Sequence, residues 1–323
     1  MKDNPLHFSW SINWRWVIML SVAVMPGVLT SLITGKLMWL IASFLAVCGA
    51  IPYSASHNSR LFTLFNSLLV CIVAYILHWL LSISWQYFLM ATVCLAFAVG
   101  ILDNGHANFR VLSSWIIIGC VYGSIKLGEY PLSLTDLTYI IGLACTGTGI
   151  VLVLPLNHPS VNVRLTLVPL KDKQFLFNFK YIIPSLLAIL AWHYFRLEEP
   201  EWIIWSALSV TYPEISDVIL KFKQRAIAGS AGVACGLIAG LIIPHSLIVT
   251  YLCFIFICLS LKMFNDYFPG YLLRSFLAVL YAANHGSWQI AVSRISDVII
   301  GGIIGVVSAY LFHFIYCKYI LES

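Results

Sequence analysis

Arginines set in apolar surroundings are the residues of this chain best suited to chemistry. Arg225, Arg274 and Arg110 each stand within or beside a long uncharged run. A charge in hydrocarbon costs about 2.5–3.5 kcal/mol on insertion scales, so it faces a cavity or a partner. A fixed cation in a low-dielectric wall concentrates anions, which makes Arg274 and Arg110 candidate anion contacts; snorkelling to headgroups is the plain alternative. Lys221, Lys223 and Arg225 form a basic turn that suits either the arrival of an anion or anchoring at a membrane face. Trp205 and Tyr212 flank a short apolar segment and could stack on an aromatic anion. Asp136 and Asp297 could carry protons in a coupled cycle, although Thr135 and Ser296 beside them also suit helix starts. Arg294 precedes Asp297 by three residues, the spacing at which two side chains meet on a helix.

The remaining chemistry-bearing residues point away from catalysis and metal binding. The nine cysteines show no CxxC pair and lie in or at the ends of apolar stretches, where they read as small core residues. The nine histidines form no HExxH, and no glycine-rich phosphate loop follows a strand. The expectation is a protein without enzyme activity, metal or cofactor. A net charge of +5 comes from basic residues scattered singly between apolar runs, so a nucleic-acid partner is not expected.

What must position these residues follows from composition. Hydrophobic residues make up 61% of the 323 and charged residues 10%, against roughly 45–50% and about 25% in soluble domains. Lipid is therefore the expected main solvent. The uncharged stretch from Leu61 to Leu102 exceeds the roughly 20 residues of one crossing, and Ser82-Ile83-Ser84 divides it. Ala226 to Leu261 is divided in the same way by Pro244-His245-Ser246. These divisions predict an all-α polytopic membrane protein of about twelve transmembrane helices, starting near Trp16, Met38, Leu61, Trp85, Val111, Leu137, Tyr181, Trp202, Ala226, Leu247, Tyr271 and Val298.

With both termini cytoplasmic, fourteen of the 18 lysines and arginines fall on the inner side, and only Lys36, Lys126, Arg196 and Arg294 lie outside. That bias fixes orientation. The acidic residues Glu198, Glu199 and Glu201 then face outward, and the short eighth segment could be re-entrant.

Landmarks recur roughly 160 residues apart, as in transporter repeats. Trp14-Arg15 matches Phe179-Lys180, Asp103 with Arg110 matches Asp266 with Arg274, and Thr135-Asp136 leading to Gly142 matches Ser296-Asp297 leading to Gly301-Gly302. The reading is two parallel six-helix repeats, 1–156 and 176–323, joined by a cytoplasmic linker at 157–175. A permeation path would lie near the axis relating them. Pro26 and Pro184 are expected at comparable depth in the first and seventh helices. Gly232, Gly236 and Gly240 predict close helix packing.

The second half resembles the fusaric acid resistance and aromatic acid exporter family. The residues that carry the likeness are Trp202 to Pro213, the turn Lys221 to Arg225, Arg225 followed by Gly229, and the helix with Arg294, Asp297, Gly301 and Gly302. The likeness is clearest from Glu201 to Ala309, and Arg60 in the first half lacks the following glycine. It implies a secondary exporter of small organic anions, such as aromatic carboxylic acids, in a bacterial inner membrane, with membrane lipid and a periplasmic adaptor as partners. The large soluble domains of many members have no counterpart expected here. A passive anion channel and a non-transporting scaffold or lipid-modifying protein are the alternatives.

Overall fold

The computed structural model describes residues 9–56, 60–102, 107–154, 180–197, 199–210 and 215–316. Among them are twelve α-helices: α1 (Trp14–Thr34), α2 (Leu40–Ser56), α3 (Arg60–Ile83), α4 (Trp85–Leu102), α5 (Ala107–Leu127), α6 (Leu134–Val153), α7 (Ile182–Phe195), α8 (Pro200–Val210), α9 (Ile215–Ile242), α10 (Leu247–Ser260), α11 (Tyr267–Asn284) and α12 (Trp288–Tyr316). The linker 157–175, Asp103 and Tyr212 lie outside the described residues, as does the side chain of Arg110.

The serine and proline breaks fall where the sequence indicates. Ser84 separates α3 from α4, and Ile243 to Ser246 separates α9 from α10, whose first turn is capped by the Ser246 hydroxyl accepting from the Val249 amide at 3.2 Å. Other helix starts differ. Helix α12 begins at Trp288, not near Val298, after Gly286 turns the chain with φ of 73°. Ser296 and Asp297 are thus two turns inside it and cannot cap; the Ser296 hydroxyl bonds back to the Ser293 carbonyl at 2.6 Å. Pro184 is the third residue of α7, where a missing backbone donor is harmless, whereas Pro26 lies mid-helix in α1. The two prolines are not equivalent.

Five helices, α1, α3, α6, α9 and α12, are long and apolar enough to cross a membrane. The others are shorter, and α8 has 11 residues, about 16 Å of rise. Large apolar side chains such as Ile33, Leu61, Leu241, Ile248 and Phe314 point outward, while Arg225, Arg274, Arg294, Glu201 and Asp297 point inward. An apolar exterior around a polar interior is stable only in lipid. The chain is a multi-pass helical membrane protein.

The chain divides into two compact units. One comprises Val22–Ile189 and Leu311–Ser323, the other Met1–Ser21 and Leu190–Tyr310. In the first, α2 packs on α3, α5 and α6, and α3 packs on α4, α5 and α6. In the second, α9 packs on α11, with α10 beside α11. The glycine stripe makes that approach possible. A Cβ on Gly232 would stand 2.5 Å from the Leu272 carbonyl oxygen, and one on Gly236 would stand 2.7 Å from that of Phe276. Helix α12 closes on α8 through Gly301, whose Cβ would reach within 2.5 Å of the Ile203 carbonyl.

A strap from the amino-terminal side fixes the turn before α11. The Asn13 amide donates to the Met263 carbonyl at 2.7 Å, the Asn265 side-chain amide donates to the Ser11 hydroxyl at 2.8 Å, and the Ser9 amide donates to the Asp266 carboxylate at 2.5 Å. Trp10 meets the Phe264 ring edge to face at 5.9 Å. These contacts set where Tyr267 and the rest of α11 begin.

Candidate functional site

Three arginines occupy the interior of the second unit. Arg225 of α9, Arg274 of α11 and Arg294 of α12 are only 4%, 6% and 4% exposed. Helical spacing assembles their surroundings. Tyr267, Tyr271 and Arg274 fall at i, i+4 and i+7 on α11 and share one face, as do Lys221 and Arg225 on α9. Helix α8 supplies Trp202, Trp205, Ser206 and Ser209.

Arg225 is held by hydroxyl groups instead of a carboxylate. Nη1 donates to Tyr267 Oη at 2.7 Å and to Ser209 Oγ, and Nη2 donates to Ser206 Oγ at 2.7 Å and Tyr271 Oη at 3.0 Å. Its Cζ lies 4.3 Å from the centre of the Tyr271 ring, and Tyr267 stacks on Tyr271 at 5.6 Å. Lys221 lies 5.0 Å over Tyr267. Neutral hydroxyls satisfy the hydrogen bonds but leave the charge uncompensated, and they can give way to an incoming anion.

Arg274 sits between two rings. Its Cζ is 5.6 Å from the centre of Trp205 and 5.8 Å from that of Tyr271, while Nε and Nη2 donate to the Ser260 hydroxyl and carbonyl at 3.3 and 3.2 Å. Lys262, in the turn after α10, lies 5.8 Å over Trp16. Burial, and then the charge of Arg274, lowers its pKa from the ordinary lysine value.

Arg294 completes the series. Its Cζ lies 3.2 Å from the centre of Trp202, and Trp202 stacks on Trp205 at 5.4 Å with 9° between planes. Glu201, 2% exposed, and Asp297, 1% exposed, are the buried carboxylates among the described residues of this unit; both act electrostatically on Arg294. Cations and rings therefore alternate through the interior from Arg225 by Tyr271, Arg274, Trp205 and Trp202 to Arg294. Three buried cations face two buried carboxylates.

Of the residues singled out from sequence, Arg225, Arg274, Lys221 and Trp205 come together here, and Asp297 lies beside Arg294. Asp136 does not join them: its carboxylate accepts from the Ser133 amide at 3.0 Å and hydroxyl at 2.6 Å, closing a capping box at the start of α6. Glu201, expected in a solvated acidic loop, is instead buried in the first turn of α8. Sequence reasoning missed Tyr267, Tyr271, Trp202, Ser206, Ser209 and Ser260, and gave Arg294 no ligand role. The Tyr-x₃-Tyr-x₂-Arg spacing on α11 was the available signal. The cluster is built by one unit alone.

Buried cations ringed by aromatic residues in a helical membrane bundle mark the functional interior of this unit. Residues 187–308 match the family described as Fusaric acid resistance protein-like, a membrane transport and resistance family, so the resemblance carried by Arg225, Gly229, Arg294 and Asp297 is established over that segment. Every residue of the cluster lies inside it. No curated protein and no solved structure matches the chain.

Proposed function

We propose that the chain is a secondary transporter of small organic anions across a bacterial inner membrane, with aromatic carboxylic acids among its substrates. The observation that carries this reading is three buried arginines in the second unit, bonded to hydroxyls and rings. An excess cation in a low-dielectric interior is unfavourable until an anion neutralises it. Rings and hydroxyls can then accommodate both parts of an aromatic acid.

In this reading the helices cross about twelve times as two six-helix repeats, with both termini cytoplasmic. Recurrent packing supports the duplication: α3 with α5 corresponds to α9 with α11, and α2 with α6 corresponds to α8 with α12. Arg225, Arg274 and Lys221 bind the anion, with Trp205 beside them. Arg110 and Tyr212 remain candidates by position. Asp297, buried beside Arg294, is better suited to proton coupling than Asp136, whose side chain already serves as a cap. The family resemblance carries the substrate class and the periplasmic adaptor.

The test is labelled benzoate flux in proteoliposomes containing purified protein. Gradient-dependent accumulation that Arg274→Gln abolishes is the expected result. Steady benzoate current without a pH gradient would favour a passive channel, for which the continuous cation–ring series also provides a path. Flux unchanged in Arg274→Gln would remove this residue from the site, and no flux from the wild type would leave a scaffold.

A further inference from the structure

The three arginines differ in what their guanidinium groups have left to offer. Arg225 has four hydroxyl partners and only Nε without an acceptor. Arg274 is tied to Ser260 through two nitrogens. Arg294 keeps both Nε and Nη1 buried without an acceptor, although it is as deeply buried as Arg225. A buried, charged donor without a partner is among the least stable arrangements a protein tolerates.

The contact Arg294 does make leaves these donors available. The Arg294 Cζ lies over the Trp202 ring, 3.2 Å from its centre. Guanidinium hydrogen bonds lie in its plane, so a ring on the face uses none of them. Trp202 is backed by Trp205 in a near-parallel stack, which holds the plane in position. Glu199, Glu201 and Asp297, together with Tyr271, are the electrostatic neighbours of this group. They moderate its charge while Nε and Nη1 stay without an acceptor.

Position gives the arrangement a direction. Along α8, Trp202 faces Arg294, Trp205 faces Arg274, and Ser206 and Ser209 face Arg225. Seven residues of helix separate the first contact from the last, about 10 Å of rise. Arg294, with two buried donors unused, and Arg225 therefore stand at opposite ends of the series, with Arg274 between them.

We propose that Arg294, held over Trp202, is a second carboxylate-binding station about 10 Å along α8 from the Arg225 station, and that an anion passes between the two by way of Arg274. This inference rests on the reading of the unit as an organic-anion transporter. A carboxylate is the fitting class because its planar, paired oxygens match in-plane guanidinium donors, whereas a halide answers the charge alone. The planarity of guanidinium also separates arginine from lysine at this position, since an ammonium has no edge to present.

Two readouts on purified protein test it, with benzoate as the probe: the thermal midpoint with and without benzoate, and initial flux rates against benzoate concentration in proteoliposomes. Benzoate should stabilise the wild type, and chloride at the same concentration should not. Arg294→Gln should lose most of that benzoate shift and raise KM at least tenfold. Arg294→Lys should recover only part of the affinity, and Trp202→Leu, which keeps the charge but removes its support, should raise KM severalfold. Wild-type KM and midpoint shift in both Arg294 variants would overturn the station while leaving transport intact. A benzoate shift lost in Arg294→Gln but no flux from the wild type would support the station and sink the transporter reading. Neither shift nor flux from the wild type would overturn both. Should Arg294→Gln not be recovered as a monodisperse protein, Arg294→Lys and Trp202→Leu decide, and wild-type KM in the pair overturns the proposal.

Discussion

The two units hold interiors of different chemistry. Among the described residues of the unit containing α2 to α6, the buried polar groups are neutral except for Lys180, which lies over the Tyr181 ring at 4.9 Å. Ser67 and Thr148 hydroxyls meet at 3.1 Å, Ser43 donates to the Val24 carbonyl at 2.7 Å, and Cys48, Cys71 and Cys120 fill space between them. In the unit containing α8 to α12, the interior holds Arg225, Arg274 and Arg294 with their rings. Equating Gly147 with Gly301, each pressed against an earlier helix, brings Ile140 opposite Arg294 and Ile290 opposite Asp136. Under the proposed duplication, that correspondence sets an apolar residue against an arginine, and the arginine has the Trp202 ring to meet it. What distinguishes the units is the filling.

Paired substitutions can break this contrast. The largest effect is expected from Arg225→Gln set against Thr148→Val. The first strands the hydroxyls of Tyr267, Tyr271, Ser206 and Ser209 and should lower benzoate flux more than a hundredfold. The second loses neutral hydrogen bonds worth about 1 kcal/mol and should shift the thermal midpoint modestly with flux retained. Equal losses in flux would mean that both interiors line the path.

Next comes the helix contact that carries the arginines. Gly232→Val forces a side chain into the α11 backbone and should destabilise by about 1–3 kcal/mol, with a lowered thermal midpoint. Gly142→Ala, where a Cβ would meet nothing within 4 Å, should instead gain up to about 1 kcal/mol from helix propensity. Loss in both would place Gly142 against a neighbour. Smaller again is Tyr267→Phe, which removes one hydroxyl from Arg225 and should change benzoate KM severalfold while sparing expression. Smallest is Asp136→Ala, which should cost about 1 kcal/mol as a lost cap and leave flux unchanged over the pH range of transport. A changed pH profile would restore Asp136 to the coupling path.

The frame was more legible in the sequence than the site. Turn residues between apolar runs, Ser84 and Pro244 above all, act locally, so the breaks between α3 and α4 and between α9 and α10 could be placed from composition, whereas α9 begins at Ile215, well before Ala226, with Lys221 to Arg225 inside the helix. The glycine stripe on α9 likewise announces its own packing. Arg225 and Arg274 could be singled out because a charge in an apolar run is conspicuous. Their partners could not, because a tyrosine or tryptophan in a membrane protein suits a headgroup belt equally well, and only the tertiary fold brings Tyr267 and Tyr271 to Arg225. Helix α12 misled for a physical reason. Its first turns carry Arg294 and Asp297, and polar residues near an apolar run look like a helix end until burial shows them inside. Asp136, with the same local pattern, is a true cap because its helix starts two residues before it.

The central claim, that anions bind in the unit with the arginines, is tested most directly by locating one. Crystals of the wild type soaked in 4-iodobenzoate, measured at a wavelength where iodine scatters anomalously, should show a peak among Arg225, Arg274, Tyr271 and Trp205, absent from Arg225→Gln crystals. An iodine peak confined to the interior near Ser67 and Thr148, with none beside the arginines, would contradict the account.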